Sequence, residues 1–418
     1  MNRKLIKQTL NDWRSNMWLA LELLIVSIVV WYTVDYCCVT YVTYNEPLGF
    51  EVDHCYKINV CTLNSNSPDY TERDASQVIT DKLELIDRLS RRPEVEVASY
   101  SNVAHPYNWN STGETVAYDT IVSEGMVNAR NVSPEYFKVF KIRGANGETP
   151  EQLAALLENE GVFISSNVFE NSGIDMRTHV HDTIHDPFGY NYSWEIKAVI
   201  NPIRYSEYMA HGTMDKTIIR KINYGDKSAS FLLDELCVRV KDNMDKDFIT
   251  NLMADAPKHF RVGNLFIGSV SSFDNLRDNV VSEDRQKLLS MVSGMAFLLI
   301  NVFLGLFGTF WFRTQQRVGE IAIRKVNGAT RSDIFRRMIG EGLVILSVVT
   351  IPAICIDMLL AHFELNTAYG AADYFNIGRI IVSALITYAL IALMIIAGIG
   401  IPAWRAMRLD PAVALHDE

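Results

Sequence analysis

The chain has 418 residues, 49% hydrophobic and 21% charged, with a formal net charge of −10. That mix excludes a fully disordered chain. The acidic balance excludes a general nucleic-acid binder, whose phosphate contacts need clustered Lys and Arg. Six cysteines in this length are too few for a small disulfide scaffold.

Residues 1–17 read as an amphipathic helix at the inner leaflet. Ile6, Leu10, Trp13 and Met17 share one helical face, and Lys4, Lys7 and Arg14 can reach lipid headgroups. A plain polar lead-in fits the same residues. Residues 18–39 are apolar for long enough to cross a hydrocarbon core of about 30 Å as a helix. The run exceeds the about 7–15 residues of a signal-peptide core, and no small-residue cleavage pattern follows, so an anchor is expected.

Residues 44–273 read as a mixed α and β domain. Val52–Leu63 has strand character, Ala75–Arg91 carries apolar residues at helical spacing, and Glu94–Tyr100 alternates like a half-buried strand. The same order returns later, with a strand at Leu236–Val240, a helix near Lys246–Ala256 and a strand over Phe260–Val270. Two β-α-β units predict one split ferredoxin-like layer. The insert between them, about 103–230, is expected to form a separate β-rich lobe with strands at Gly161–Ser166 and Trp194–Ile200.

Residues 274–287 turn polar and helical and lead into a second apolar run at 288–312, which predicts a stalk continuous with a membrane helix. Residues 313–341 then predict a charged helical hairpin. Glu320 and Arg324 stand at i and i+4 in the favourable order for an ion pair, and Lys325 sits with Arg324 near the helix end. Gly328 supplies a left-handed stop, Ala329 follows it, and Thr330 with Asp333 resembles a capping box for the next helix. A third span is expected at 342–361, a short loop at 362–378, a fourth span at 380–401 and a tail at 402–418. The fold class is an α-helical membrane protein with four transmembrane helices and a large α+β extracytoplasmic domain between the first and second.

Charge sets the expected orientation. The first 17 residues hold Arg3, Lys4, Lys7 and Arg14; the hairpin holds Arg313, Arg317, Arg324, Lys325, Arg331, Arg336 and Arg337; the 362–378 loop has no Lys or Arg. By the positive-inside rule both termini and the hairpin face the cytoplasm. Residues 44–286 then lie outside, and they carry 24 basic against 37 acidic residues. Glu22, Asp35 and Asp357 interrupt the spans, the first two close enough to the boundaries to reach water.

Other signals are weaker. The string THVHDTIHD at 178–186 reads as a solvated strand and turn, with His179 and His181 on one face and His185 too far along for a shared metal. Cys55 and Cys61 stand too far apart on one strand for a disulfide, and whether Cys237 bridges to either across neighbouring strands is left open by the sequence. Cys37, Cys38 and Cys355 read as packing residues. No nucleophile–base set stands at a recognisable spacing, so no catalytic, cofactor or metal residues are expected.

The string EIAIRKVNGATRSDIFRRMIGE is similar to the signature after the second helix of MacB/FtsX-like ABC transporter permeases, with Glu320, Ile321, Ile323, Arg324, Lys325, Gly328, Ala329 and Asp333 on the pattern. The tail PAWRAMRLDPAVALHDE resembles that family's terminus at Pro402, Ala403, Ala406, Asp410, Pro411, Ala414 and Leu415. Segments at 131–147, 161–173 and 196–204 resemble the MacB-like periplasmic core.

The resemblance implies a dimeric permease that transmits motion driven by ATP to a periplasmic domain. Cargo in this family ranges from drugs and peptides to lipoproteins or none. The sequence has no G-x-x-x-x-G-K-[ST], so ATP and Mg are expected on a separate ABC ATPase subunit. A second permease copy, a periplasmic adaptor and an outer-membrane channel are the other implied partners, in a bacterial inner membrane. Glu320, Arg324, Lys325, Gly328, Ala329 and Asp333 are the implied ATPase-coupling residues. A membrane receptor or a regulator of periplasmic enzymes fits the same architecture.

Overall fold

A computed structural model describes residues 13–108, 110–189, 192–212, 214–316, 318–363, 377–406 and 408, the side chains of 13–16, 313, 320 and 406 excepted. Most of the expected helix at 1–17 lies outside the described residues, as do the loop from 364 to 376 and the tail beyond 408. The chain divides into two units, one spanning Thr43–Glu283 and one made of the apolar helices.

The first apolar helix, α1, runs Trp13–Asn45. In the outer unit, β1 (Cys55–Thr62), α2 (Ala75–Ser90) and β2 (Val95–Asn102) form the first β-α-β unit. Helix α2 starts at Asp74, whose side chain accepts from the Gln77 N–H while the Gln77 side chain bonds back to the Asp74 backbone. Its Ile79, Leu85 and Leu89 are buried at helical spacing.

The insert contributes β3 (Gly113–Glu114), β4 (Ala117–Tyr118), β5 (Ile121–Val122), β6 (Val127–Val132), α3 (Tyr136–Val139), α4 (Pro150–Leu157), β7 (Val162–Ser165), β8 (Thr183–His185), β9 (Ser193–Ile200), β10 (Thr217–Lys221) and α5 (Ala229–Leu232). The second unit follows as β11 (Glu235–Val240), α6 (Phe248–His259) and β12 (Leu265–Ser272).

Strand order in the layer is β12-β1-β11-β2, every neighbour antiparallel, as the repeated β-α-β pattern predicts for a ferredoxin-like split. All six residues of β11 are buried, which a strand shows only when both faces are covered. Leu236, Val238 and Val240 pack with α2 and α6, while Cys237 faces the aromatic cluster of Tyr136, Phe137, Phe140 and Phe273.

The structure corrects the expected separate lobe. Strand β2 pairs with β6 at Ser101–Val132 and Asn102–Asn131, so the sheet continues through β6-β10-β7-β9-β8-β4-β5. The lobe has its own core, around Val127, Ile164, Phe169, Ile196 and Ile218, yet its hydrogen-bond ladder joins the layer's. The second strand of the later unit also starts further on than expected, because Val262 and Leu265 close a tight turn before β12.

Helix α7 runs unbroken from Phe273 to Gln316 over 44 residues and contains both the stalk and the second span. It is followed by α8 (Val318–Val326), α9 (Arg331–His362) and α10 (Ile377–Ala406). Helices α1, α7, α9 and α10 are long and apolar enough to cross a membrane. Leu23, Val30, Leu306, Leu346, Ile391, Ile395 and Ala403 form the centre of their bundle. Helices approach closely where a side chain is missing: a Cβ at Gly398 would stand 3.2 Å from the Phe303 carbonyl oxygen.

Candidate functional site

The hairpin forms as its residues dictate. Helix α8 ends in a Schellman motif: the Ala329 N–H donates to the Arg324 carbonyl and the Gly328 N–H to the Lys325 carbonyl, each at 3.0 Å. Gly328 takes φ +92°, which an L side chain tolerates poorly, and open space surrounds it. Two residues later Thr330 caps α9. Its hydroxyl accepts from the Asp333 N–H at 3.2 Å, and the Asp333 carboxylate accepts from the Thr330 N–H at 3.0 Å. The Thr330 hydroxyl also donates to that carboxylate at 2.6 Å, and with the backbone bond it holds the Asp333 carboxyl below its usual range.

The two caps fix the angle of the turn, and Ile321, Ile334 and Met338 close the inside of the hairpin. Gly328, Ala329, Arg324, Lys325 and Asp333 are therefore gathered at one turn, as expected from the sequence. The Glu320 side chain, and with it the expected ion pair to Arg324, lies outside the described residues. The sequence placed Ile323 on the family pattern without a surface role, and Val326 was passed over. They sit three apart on α8, 54% and 67% exposed, next to Arg324 and Lys325. Their signal was an apolar pair off the phase of the buried Ile321 and Ala322.

Within the helical unit, two expectations change. Asp35 does not reach water. It is fully buried, and the Arg379 guanidinium grips it with Nε at 2.9 Å from Oδ1 and Nη2 at 2.5 Å from Oδ2. Ser383 adds a hydroxyl donor at 2.9 Å. Arg379 stands at the start of α10, just ahead of the expected fourth span, so a hydropathy reading had no reason to pair it. Asp357 is also buried, beside a small cavity lined by Ser27, Trp31 and Thr387. Cys355 is exposed on its helix, which corrects the packing role expected for it; Cys37 and Cys38 are half-buried.

In the outer unit, Cys55 and Cys237 are both buried and free. The register sets Cys237 opposite Lys57 and Cys55 opposite Arg239, and Cys237 is bridged to neither Cys55 nor Cys61. Burial pushes the Cys55 thiol up to about 12. The 178–186 segment is not one strand. His181 takes φ +75°, and only Thr183–His185 is extended. His179 pairs with Asp182 at 2.9 Å and His181 with Glu195 at 3.1 Å, which separates the two rings.

Residues 292–411 match the family model described as FtsX-like permease C-terminal. That stretch contains the end of α7, the hairpin and the helices that follow. Among the described residues stand four helices long and apolar enough to cross a membrane, with a large mixed α/β domain between the first and second. The periplasmic region of MacB from Actinobacillus actinomycetemcomitans is similar at 10% identity, covering 57% of this chain and 97% of that one with a TM-score of 0.31. The extracellular domain of the noncanonic ABC-type transporter YknZ from Gram-positive bacteria is similar at 12% identity, covering 50% and 98% with a TM-score of 0.30. No curated protein matches the chain.

Proposed function

We propose that the chain is a permease subunit that couples ATP hydrolysis on a separate ABC ATPase to a conformational change in its outer domain, for export, efflux or lipoprotein release. The hairpin turn carries this reading. Caps on both sides make it stiff, and it presents exposed Ile323 and Val326 beside two cations. An exposed apolar pair with flanking charge fits a protein partner. ATP and Mg belong to that partner, since the sequence has no phosphate-cradling loop. The partner docks at the cytoplasmic turn, with both chain termini on the same side of a bacterial inner membrane and a second permease copy alongside. The chain itself acts as a non-catalytic subunit.

The test is a pull-down of the full chain from native membranes, followed by reconstitution with the recovered P-loop ATPase. The parent is expected to bind the ATPase and stimulate its hydrolysis. Ile323→Glu with Val326→Glu should lose that binding while still inserting. Arg324→Glu with Lys325→Glu, or Gly328→Pro, should uncouple hydrolysis from transport. Retained binding and coupling in all three variants would remove the hairpin from the mechanism. A stable kinase complex with no ATPase would favour a receptor instead.

A further inference from the structure

Helices α1, α9 and α10 enclose a small cavity that the proposed coupling does not use. Ser27 and Trp31 line it from α1, Thr350 and Asp357 from α9, and Thr387 and Tyr388 from α10. It measures about 10 Å³, room for one water-sized sphere and nothing larger.

Four side chains at this cavity are buried with an unmet polar atom. Ser27 is 4% exposed, Trp31 1%, Asp357 2% and Thr387 5%. Ser27 Oγ, Trp31 Nε1, Asp357 Oδ1 and Thr387 Oγ1 have no hydrogen-bond partner among the described residues. Folded chains leave few buried polar atoms unmet, so four around one cavity point to a ligand.

Asp357 decides the charge of that ligand. A carboxylate this deep among apolar helices is costly unless it is paired. No described Lys, Arg or His lies within ion-pair distance of it, and Arg379 is committed to Asp35.

The hydroxyls decide its polarity. Thr350 donates its hydrogen to the Leu346 carbonyl at 2.8 Å. Ser347 donates to the Leu343 carbonyl at 2.8 Å, so Tyr388 is the donor in the 3.0 Å contact between the Ser347 and Tyr388 hydroxyls. With those hydrogens spent, the Thr350 and Tyr388 oxygens only accept. The Ser27 and Thr387 hydroxyls can turn their hydrogens to a carbonyl one turn back, as Thr33 does to Val29. Trp31 Nε1 is the one obligatory donor, and a carboxylate has lone pairs for it and for a further partner.

A water molecule takes the Trp31 hydrogen and gives one to Asp357, yet it leaves the carboxylate's charge unbalanced. A divalent ion overbalances it. We propose that the cavity binds one Na+, with Asp357 as the charged ligand and the hydroxyl oxygens of Ser27, Thr350, Thr387 and Tyr388 as neutral ligands. Hard cations take oxygen ligands of these kinds. A bare Na+ is smaller than a water molecule and fits without its hydration shell, and the strong field of a carboxylate favours it over the larger K+. Bound there, the ion ties three helices together.

The test is equilibrium binding of radioactive Na+ to the full chain in detergent micelles, at constant ionic strength made up with choline chloride. One saturable Na+ per chain is expected, displaced by unlabelled Na+ and only weakly by K+. Asp357→Asn keeps the shape and removes the charge, and it should weaken binding about a hundredfold or more. Ser27→Ala with Thr387→Val leaves Asp357 in place and should weaken binding about tenfold. Na+ should raise the melting temperature of the parent and not that of Asp357→Asn. Without Na+ the Asp357→Asn variant should melt no lower than the parent, which separates lost binding from lost folding. A proton is the rival ion. It would give a protonated-carboxyl infrared band at neutral pH in Na+ buffer, removed by Asp357→Asn. That band, no saturable Na+ binding, K+ displacing as well as Na+, or an Asp357→Asn variant that binds Na+ like the parent would each overturn the proposal.

Discussion

Single residues carry two of the sharpest expectations. At Gly328 the left-handed φ of +92° meets open space, so a methyl group there collides with nothing and only the backbone preference is lost. Gly328→Ala should therefore cost about 1–2 kcal/mol, all of it local to the turn. Hydrogen exchange would show faster opening at the 328 and 329 amides, roughly fivefold or more, with the outer domain unaffected. At Asp35 the argument is electrostatic. Removing one member of a buried ion pair leaves an uncompensated charge, at about 3–5 kcal/mol. Asp35→Ala and Arg379→Ala should each lower the melting temperature of the chain in micelles, and the double variant should recover part of the loss. Simple additivity of the two losses would show that the pair does not couple.

At the scale of elements, the alternation of the outer strands and the spacing of α2 were legible because one buried face imposes a period. The hairpin was legible because its stop and start rest on local residues, Gly328 and the Thr330–Asp333 box. Three features were not. The β2–β6 junction rests on two residue pairs, which no local pattern encodes. The Asp35–Arg379 pair joins positions far apart in the chain, and Arg379 sat outside the hydropathy window. Asn128 and Arg130, polar and buried, stand in a strand whose apolar neighbours suggested only burial.

The segment from Ser101 to Asn108 is another such case. It is tied down by buried Glu235, which accepts from the Ser101 hydroxyl at 2.8 Å, the Ala104 N–H at 2.9 Å and the Asn108 side chain at 2.6 Å. In the same segment His105 Nδ1 donates to the Pro106 carbonyl at 2.7 Å, which leaves Nε2 to accept from Lys57 at 2.9 Å.

This arrangement makes a signed pH prediction. Burial lowers the His105 pKa from its ordinary 6.5, so below that pH the unfolded chain binds a proton that the folded chain refuses. Its contribution is complete above about 6.5 and is lost as the pH falls from there through the lower folded value. His211 acts in the opposite sense, because its hydrogen bond with Asp215 raises its pKa. That contribution is complete below 6.5 and is lost as the pH rises through the higher folded value. Melting curves of the full chain across this range should separate the two. His105→Gln should flatten the acid side of the profile and His211→Gln the neutral side. A profile unchanged by both would mean that neither ring differs between the folded and unfolded states.

At the scale of the whole molecule, the proposed coupling would run along a single helix. Helix α7 keeps its hydrogen-bond ladder through 44 residues, about 66 Å at 1.5 Å per residue. A helix of that length resists bending unless a proline or a bulge interrupts it. If the proposed motion starts at the hairpin, α7 is the shortest covalent path by which it reaches the outer domain. Gln286→Pro, placed where the polar stalk meets the apolar span, removes one backbone donor and crowds the carbonyl four residues earlier. Gln286→Ala keeps the ladder and is the control. In proteoliposomes with the ATPase, the proline variant should hydrolyse ATP with little change, because the hairpin is intact. Its outer domain, followed by spin labels at exposed positions, should no longer respond to nucleotide. The alanine variant should respond like the parent. A proline variant whose outer domain still followed the nucleotide cycle would show that rigidity of α7 is not what carries the signal.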